Sequence, residues 1–140
     1  MTEQKKSNAQ KKQYLQSYLM TVRRESELND EIMMILLDHA LPKAISYGEK
    51  SGAGPRFDLS DVAAKVDELQ RDLFHAHTQC IERRRDITRR IEAMHNETEK
   101  LLLHLRYIRG FTFDEVADKM GYSRRHVIRL HGNALLHFPM

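Results

Sequence analysis

Residues 113–130 decide the fold, and they read FDEVADKMGYSRRHVIRL, a pattern typical of a helix-turn-helix. Gly121 lies where the turn needs a positive φ, and the small Ala117 lies where the second helix crosses close to the first. The positions where the two helices must touch are apolar: Val116, Met120, Tyr122, Val127 and Leu130. The outer surface of the second helix is predicted to carry three arginines, Arg124, Arg125 and Arg129. A small core with basic residues on its last helix is typical of a DNA-binding unit.

Capping residues support these helix boundaries. Thr112 and Glu115 have the spacing of a capping box, which predicts that the first helix of the motif begins there. Ser123 is a good N-cap for the second helix and places Arg124 and Arg125 in its first turn. Positive charge at that end opposes the helix dipole, so an anionic partner explains these arginines better than helix stability does. The alternative is a solvated face on a purely structural helical domain.

The composition restricts the class of protein. The chain has 140 residues, of which 31% are charged and only 6 are Gly and 3 Pro, a composition typical of helical proteins. The longest apolar run, residues 32–37, is far below the ~20 residues that span a bilayer, so no membrane association is predicted. The amino-terminal residues are polar and show no secretory signal. A single cysteine, Cys80, excludes an internal disulfide and is consistent with a reducing cytoplasm.

The positive charge is concentrated near the helix-turn-helix. Residues 100–140 hold seven basic and three acidic side chains, a net charge of +4, whereas the other 99 residues sum to −1. Because the phosphate backbone dominates nonspecific affinity for nucleic acid, this distribution favours double-stranded DNA as the partner.

The remainder of the chain predicts a helical hairpin at residues 10–95, preceded by a disordered segment at residues 1–9. A first helix is expected from about residue 9 to about residue 46, and the polar stretch 23–30 is a candidate break. The Gly-rich linker at 48–57 separates it from a second helix that is capped by Asp58.

The second helix carries a seven-residue apolar stripe that indicates coiled-coil packing. The stripe consists of Val66, Leu73, Cys80, Ile87, Met94 and Leu101. A parallel stripe is formed by Val62, Leu69 and Ala76. The first helix folding back antiparallel on this stripe satisfies the pattern, and so does a homodimer formed through the hairpin.

Residues 96–140 are predicted to form the helix-turn-helix domain. Its supporting helix spans 96–110 and presents the apolar residues Leu101, Leu102, Leu105 and Ile108. Gly110 is expected to end that helix. Gly132 interrupts the last helix and is interpreted as a close-packing site or a local bend.

The C-terminal stretch 101–138, LLLHLRYIRGFTFDEVADKMGYSRRHVIRLHGNALLHF, resembles region 4 of bacterial sigma factors, which binds the −35 promoter element. The segment MGYSRRHVIRLHGNAL, residues 120–135, is more closely similar to small phage and prophage proteins related to the RinA and ArpU regulators of late genes. Their N-terminal half is also a helical hairpin, with a segment like KKQYL at residues 11–15. The resemblance implies transcriptional control of phage genes in the cytoplasm of a bacterial host, with host RNA polymerase as a further partner.

The resemblance also implies roles for individual residues. Arg124, Arg125 and Arg129 fall on the base-contacting face of the recognition helix. The positions near DNA phosphates are Thr112, Lys119, Ser123 and Asn133. Sigma region 4 often has Glu at the second position after the recognition-helix N-cap, where this chain has Arg125. Glu accepts from cytosine and Arg favours guanine, so a target different from the −35 element is expected.

Two further clusters have a structural interpretation. His75, His77 and Cys80 lack the spacing of a structural zinc site, so no metal and no cofactor is predicted. His131 is expected to pack or hydrogen-bond within the C-terminal unit. Five arginines lie between Arg83 and Arg90. They form either a solvated face balanced by Glu82, Asp86 and Glu92 or a surface that binds phosphates or an acidic partner, and the solvated face is favoured.

The sequence therefore predicts an all-α protein, not an enzyme, that binds specific DNA sequences and regulates phage or prophage transcription. One alternative is a phage terminase small subunit that recognises packaging DNA, although that class usually has its DNA-binding unit at the N-terminus. The other is a sigma-like module that binds RNA polymerase without contacting DNA bases.

Overall fold

The computed structural model describes residues 2–40 and 59–140, and the regular structure in these residues is entirely helical. The helices are α1 (Thr2–Ala40), α2 (Leu59–Glu92), α3 (Glu97–Leu103), α4 (Phe113–Met120) and α5 (Arg124–His137). A five-residue π-helical turn, His104–Ile108, continues directly from α3. The all-α prediction is confirmed. Each helix of the described part is too short or too polar to span a bilayer.

The first helix begins earlier than the sequence predicted. α1 starts at Thr2, so residues 2–9 are helical rather than disordered, and it continues without a break through residues 23–30. The reason is partly local, since Glu, Gln, Lys and Ala are good helix formers. The reason is also tertiary, because Lys11, in the turn that follows, is hydrogen-bonded to the C-terminal helix. The predicted helix end near residue 46, the linker 48–57 and the Asp58 cap lie outside the described residues.

α1 and α2 form a long antiparallel hairpin. Toward the tip, Leu28 and Ile32 pack against Leu69 and Ala76 in one apolar cluster. At the other end, Leu15 and Tyr18 share a second cluster with Cys80 and Ile87. The predicted stripe of α2 is therefore covered by α1 of the same chain. Leu101 is the exception at 48% exposure, because α2 ends at Glu92 and the chain restarts as α3 from the Asn96 N-cap.

The base of the hairpin, where α1 begins and α2 ends, shares its core with the C-terminal unit. Leu15 and Ile87 belong to the same buried cluster as Leu102, Val127 and Phe138. The packing is thus continuous across residue 95, where the sequence placed a boundary between the hairpin and the DNA-binding domain.

Polar contacts reinforce this junction. The Nζ of Lys11 donates to the carbonyls of Leu135 and Leu136, at 2.9 and 3.2 Å, at the carboxyl end of α5. Carbonyls in the last turn of a helix have no partner within the helix, and a cation there also complements the dipole. From α2, the guanidinium of Arg90 donates to the Pro139 carbonyl at 3.1 Å. These contacts hold α5 against both hairpin helices.

Candidate nucleic-acid interface

The boundaries of the motif follow from its capping residues. The Thr112 side chain accepts a hydrogen bond from the Glu115 amide, and the Glu115 carboxylate accepts one from the Thr112 amide, so the predicted capping box is confirmed. Gly121 ends α4 in the left-handed conformation with φ 72°. Ser123 then caps α5 by accepting from the His126 amide at 3.2 Å. The turn between the two helices is therefore fixed by three local signals.

Most of the predicted contact positions hold the two helices together. Val116, Ala117 and Val127 are buried, and Met120 and Leu130 pack against the same core. Tyr122 differs from the prediction because it is 39% exposed, and its ring stands edge-on to His126 with 4.7 Å between centroids. The side chain covers the surface of the turn instead of filling the space between the helices.

The π-helical turn places two side chains that sequence reasoning did not assign. The Arg106 guanidinium lies 4.6 Å from the centroid of the Phe113 ring and donates to the Phe111 carbonyl at 2.9 Å. The Tyr107 hydroxyl and His131 Nε2 are joined by a buried hydrogen bond of 2.5 Å. The supporting helix thereby contacts the start of α4 and the middle of α5. Gly110, with φ 75°, ends this segment as predicted.

Burial keeps the Tyr107–His131 pair neutral. Desolvation lowers the pKa of His131 to about 4, with nearby Lys12 and Arg106 acting in the same direction. Desolvation also raises the pKa of Tyr107 to about 12, partly opposed by the positive charge of Arg106. The prediction that His131 packs or hydrogen-bonds within the C-terminal unit is correct. It is a structural residue and does not face a partner.

The three predicted base-contacting arginines are exposed but do not share one face. Arg125 and Arg129 are four residues apart, which puts them within about 40° of each other on the outward side of α5. Arg124 is about 140° away from Arg129 around the helix, and its Nε lies 3.5 Å from an Asp114 carboxylate oxygen on α4. The expected single face of three arginines is therefore reduced to Arg125 and Arg129, with Arg124 beside α4.

The four candidate phosphate contacts are all exposed. Asn133 is exposed one turn beyond Arg129, and the Nζ of Lys119 lies 4.6 Å from the centroid of the Phe111 ring. The hydroxyls of Thr112 and Ser123 accept backbone hydrogen bonds as caps, which leaves their protons free to donate. A Cβ on Gly132 would meet nothing within 4 Å, so the close-packing interpretation of that glycine is wrong. Gly132 instead lies on the open side of α5, close in angle to Arg125.

Sequence reasoning missed one apolar residue at this surface. Ile128 lies between Arg125 and Arg129 and is 48% exposed. Val127, the other β-branched residue of α5, is fully buried. Helical periodicity would have found it, because Ile128 is about 100° from Val127 and hence on the margin of the buried face. An exposed aliphatic side chain there can contact a thymine methyl group.

His77 and Cys80 lie near the same carboxylate, that of Glu25 on α1, but differ in burial. His77 Nδ1 is 2.7 Å from Glu25 Oε1, whereas Cys80 is buried, and this burial raises the pKa of its thiol. Within residues 2–40 and 59–140, no three His, Cys, Asp or Glu side chains are grouped to hold a metal ion.

The arginines of α2 divide into structural and exposed members. Arg83 and Arg90 stack on the Tyr14 ring, 4.9 and 5.5 Å from its centroid. Arg89 and Arg90 both pair with Asp86, at 2.7 and 3.0 Å. Arg84 and Arg85 are exposed. The favoured solvated face thus describes part of this cluster, and Arg83 and Arg90 instead help to join the two hairpin helices.

Comparison with known proteins agrees with this geometry. Residues 96–137 match the family model for Sigma-70, region 4. The match begins at the N-cap of α3 and ends with the last residue of α5, so the sigma region 4-like unit includes the supporting helix and the complete helix-turn-helix. No curated protein and no solved structure matches the chain. Sigma region 4 domains bind DNA and RNA polymerase. The resemblance to sigma region 4 is confirmed, and the resemblance to the RinA and ArpU regulators stays a prediction.

Proposed function

We propose that this chain is a sequence-specific DNA-binding regulator of phage or prophage transcription that acts with host RNA polymerase. The observation that carries the proposal is the pair Arg125 and Arg129, exposed on one face of a capped helix within the sigma region 4-like unit. Each can donate two hydrogen bonds to the O6 and N7 of guanine in the major groove. The phage setting rests on the sequence resemblance of residues 120–135.

The surrounding charges support DNA as the partner. α5 has no acidic residue in its first turn, Asn133 is exposed one turn beyond Arg129, and Lys119 of α4 is also exposed. In this proposal, Arg125 and Arg129 contact bases, whereas Thr112, Lys119, Ser123 and Asn133 contact phosphates. Arg124 is expected to make a weaker contribution, because its guanidinium is beside Asp114.

Selection of bound sequences from a random DNA pool tests this function directly. We expect a recurring site with guanine at fixed positions, because arginine favours that base. Arg125→Ala should weaken binding to this site by the ~1–3 kcal/mol typical of a bidentate base contact, and should change binding to random DNA far less. Arg24→Ala is the matched control, since Arg24 is an exposed arginine of α1 far from α5.

Other results would identify the alternatives. Retained binding to RNA polymerase without selection of any DNA sequence would favour the polymerase-binding module. A ring-shaped oligomer that selects a packaging sequence would favour a terminase small subunit. An equal loss of affinity for specific and random DNA in Arg125→Ala would assign Arg125 to phosphate contact.

A homodimer is also part of the proposal, because helix-turn-helix proteins commonly bind two half-sites as dimers. The inner stripe of α2 is occupied by α1 of the same chain, so dimerisation needs a different surface.

A further inference from the structure

One side of the hairpin carries a second stripe, of mixed apolar and polar side chains, which we call the free flank. On α2 it consists of Gln70, Phe74, His77 and Ile81, spaced four and three residues apart as in a coiled coil. On α1 it consists of Val22, Ser26, Asn29, Met33 and Leu36, with the same alternation. Between the two helices, Val22, Leu73 and Phe74 line an open groove. The large side chains here are unusually exposed, with Phe74 at 69%, Met33 at 49% and Ile81 at 45%.

The free flank lacks charge along this span. Glu25 is the one charged residue among those that line the groove, and it is paired with His77 at 2.7 Å. The opposite flank of α2 is different, because its stripe at the same spacing is largely charged. That stripe consists of Asp61, Lys65, Glu68, Asp72, His75, Gln79, Glu82 and Asp86, of which six are charged. Over the same length the spacing of the free flank adds Ala63, Asp67, Arg84 and Thr88, so that only two of its eight residues are charged. In a chain that is 31% charged, a stripe with so little charge and an exposed phenylalanine indicates a surface that is covered by a partner.

The charge of the hairpin is also divided along its length. The hairpin can be divided at the level of Thr21 and Cys80, which lie opposite each other. The tip half, residues 21–40 and 59–79, holds nine acidic and four basic side chains, a net charge of −5. The base half, residues 2–20 and 80–92, holds four acidic and nine basic side chains, a net charge of +5. By sequence, residues 41–58 add a net charge of only +1 and do not reverse this polarity.

We propose that the free flank binds the same flank of a second copy of this chain, with the two hairpins antiparallel. A two-fold axis across the hairpin then places α1 on α1 and α2 on α2, so one patch serves both subunits. This arrangement brings the acidic tip of each subunit beside the basic base of the other. A parallel arrangement would place tip beside tip and base beside base, where like charges repel.

The area of the free flank predicts a weak dimer. Its stripe on α1 spans residues 22–36 and is about 21 Å long, and its stripe on α2 spans residues 70–81. Two helices side by side are about 20 Å wide. The flank therefore offers about 400 Å², half of the about 800 Å² that each partner contributes to a standard interface, so we expect the dimer to form only at high concentration. The resulting four-helix bundle is a common solution for paired hairpins.

Light scattering and sedimentation test the association. We expect a particle of twice the 16.5 kDa chain mass, with a dissociation constant that rises with salt. Phe74→Glu should raise that constant at least about 30-fold, as loss of an aromatic hot spot does. Gln79→Glu adds the same charge on the opposite flank and should leave it unchanged. Circular dichroism should show full helix content in both variants, because Phe74 and Gln79 are exposed in the single chain.

A spin label at Ala63→Cys tests the orientation, since Ala63 is exposed near the tip of α2. If the antiparallel bundle is centred near Phe74, the two labels are about 33 Å apart, whereas a parallel bundle brings them within about 20 Å. The wild-type chain treated with the same reagent is the control for labelling of the buried Cys80.

Three results would overturn the proposal: a monomer at all concentrations, equal effects of Phe74→Glu and Gln79→Glu, or a short distance between the labels. The proposal does not rest on DNA binding. A monomer that selects a DNA site would refute the dimer and leave the proposed DNA binding intact, and a dimer that selects no DNA site would support the dimer and refute the proposed DNA binding.

Discussion

His131 shows how a single buried side chain links the sigma region 4-like unit together. Two neighbours contact its ring. The Tyr107 hydroxyl is hydrogen-bonded to its Nε2 at 2.5 Å, and the Phe113 ring stands edge-on with 5.0 Å between centroids. Because the residue is buried without a negative partner, protonation would leave a charge inside the core. The fold therefore favours the neutral form of the histidine.

This requirement predicts a pH dependence of stability. The pKa of His131 falls from 6.5 to about 4 on folding, so the unfolded chain binds the proton first as the pH decreases. The stability associated with neutral His131 is complete above pH 6.5 and is lost as the pH falls toward 4. The loss should approach about 3 kcal/mol. Urea denaturation of wild type and His131→Gln between pH 7 and 4 measures it. If the free energies of unfolding of wild type and His131→Gln decrease in parallel, neutral His131 is not the source of the pH dependence.

Two glycines of the motif should respond to alanine with opposite signs. Gly121 has φ 72°, which an L side chain adopts only with strain, so Gly121→Ala should destabilise the fold by about 1 kcal/mol. Gly132 lies in regular helix with open space beside it, so Gly132→Ala should stabilise by about 0.5–1 kcal/mol. Thermal unfolding of both variants tests the assignment. Destabilisation by Gly132→Ala would show that this position is crowded after all.

Among the elements, α4 depends on its N-cap, Thr112. Thr112→Ala removes the acceptor for the Glu115 amide and should cost about 1 kcal/mol, whereas Thr112→Ser retains it and should cost much less. Chemical denaturation measures both. If the Thr112 hydroxyl also donates to a phosphate, the alanine variant should lose DNA affinity beyond the effect of its reduced stability. Similar stabilities for the two variants would argue against the cap as the source of stabilisation.

The elements of the motif could be predicted because their signals are local. Thr112, Gly121 and Ser123 each act on backbone groups within four residues, so the chain needs no tertiary information to place the start and end of α4 and the start of α5. Periodicity likewise identified the buried face of α2, where Leu69, Ala76 and Ile87 are inside.

What could not be predicted depends on residues far apart in sequence. Lys11 has no local feature that assigns it to α5, and the partner of Arg83 is an aromatic ring on a different helix. The π-helical turn at His104–Ile108 is missed because its composition resembles that of an ordinary helix. Arg124 was placed on the face of Arg125 and Arg129 by proximity in sequence, although helical rotation directs it toward Asp114.

In the whole molecule, one core unites α5 with the hairpin base. Leu15 of α1 is fully buried in the cluster that contains Val127 and Leu135 of α5. Leu28, on the same helix, is equally buried but belongs to the separate cluster nearer the tip. The two leucines therefore offer a matched comparison of how far a cavity in the hairpin affects α5.

Leu15→Ala and Leu28→Ala should each cost about 2–5 kcal/mol, as buried leucines do. Only Leu15→Ala should accelerate hydrogen exchange at the amides of α5 through local opening, because only Leu15 packs against that helix. Mass spectrometry of exchange in native conditions separates the two variants. Equal acceleration in both would mean that the chain opens as one cooperative unit. A fragment of residues 96–140 lacks Leu15, Tyr18 and Lys11, so we expect it to be much less stable than the full chain.

The contact between Lys11 and Leu135 has a further consequence for biosynthesis. Its two residues are 124 positions apart, so α1 is synthesised well before the carbonyl that it contacts. At about 5–20 residues per second, the wait is roughly 6–25 s. During that time Leu15 and Tyr18 have no partner from α5, and apolar surface on a growing chain favours aggregation. A truncated chain that ends before residue 135 still contains Arg125 and Arg129, but it lacks the carbonyls that receive Lys11, so its arginine face is not anchored to α1.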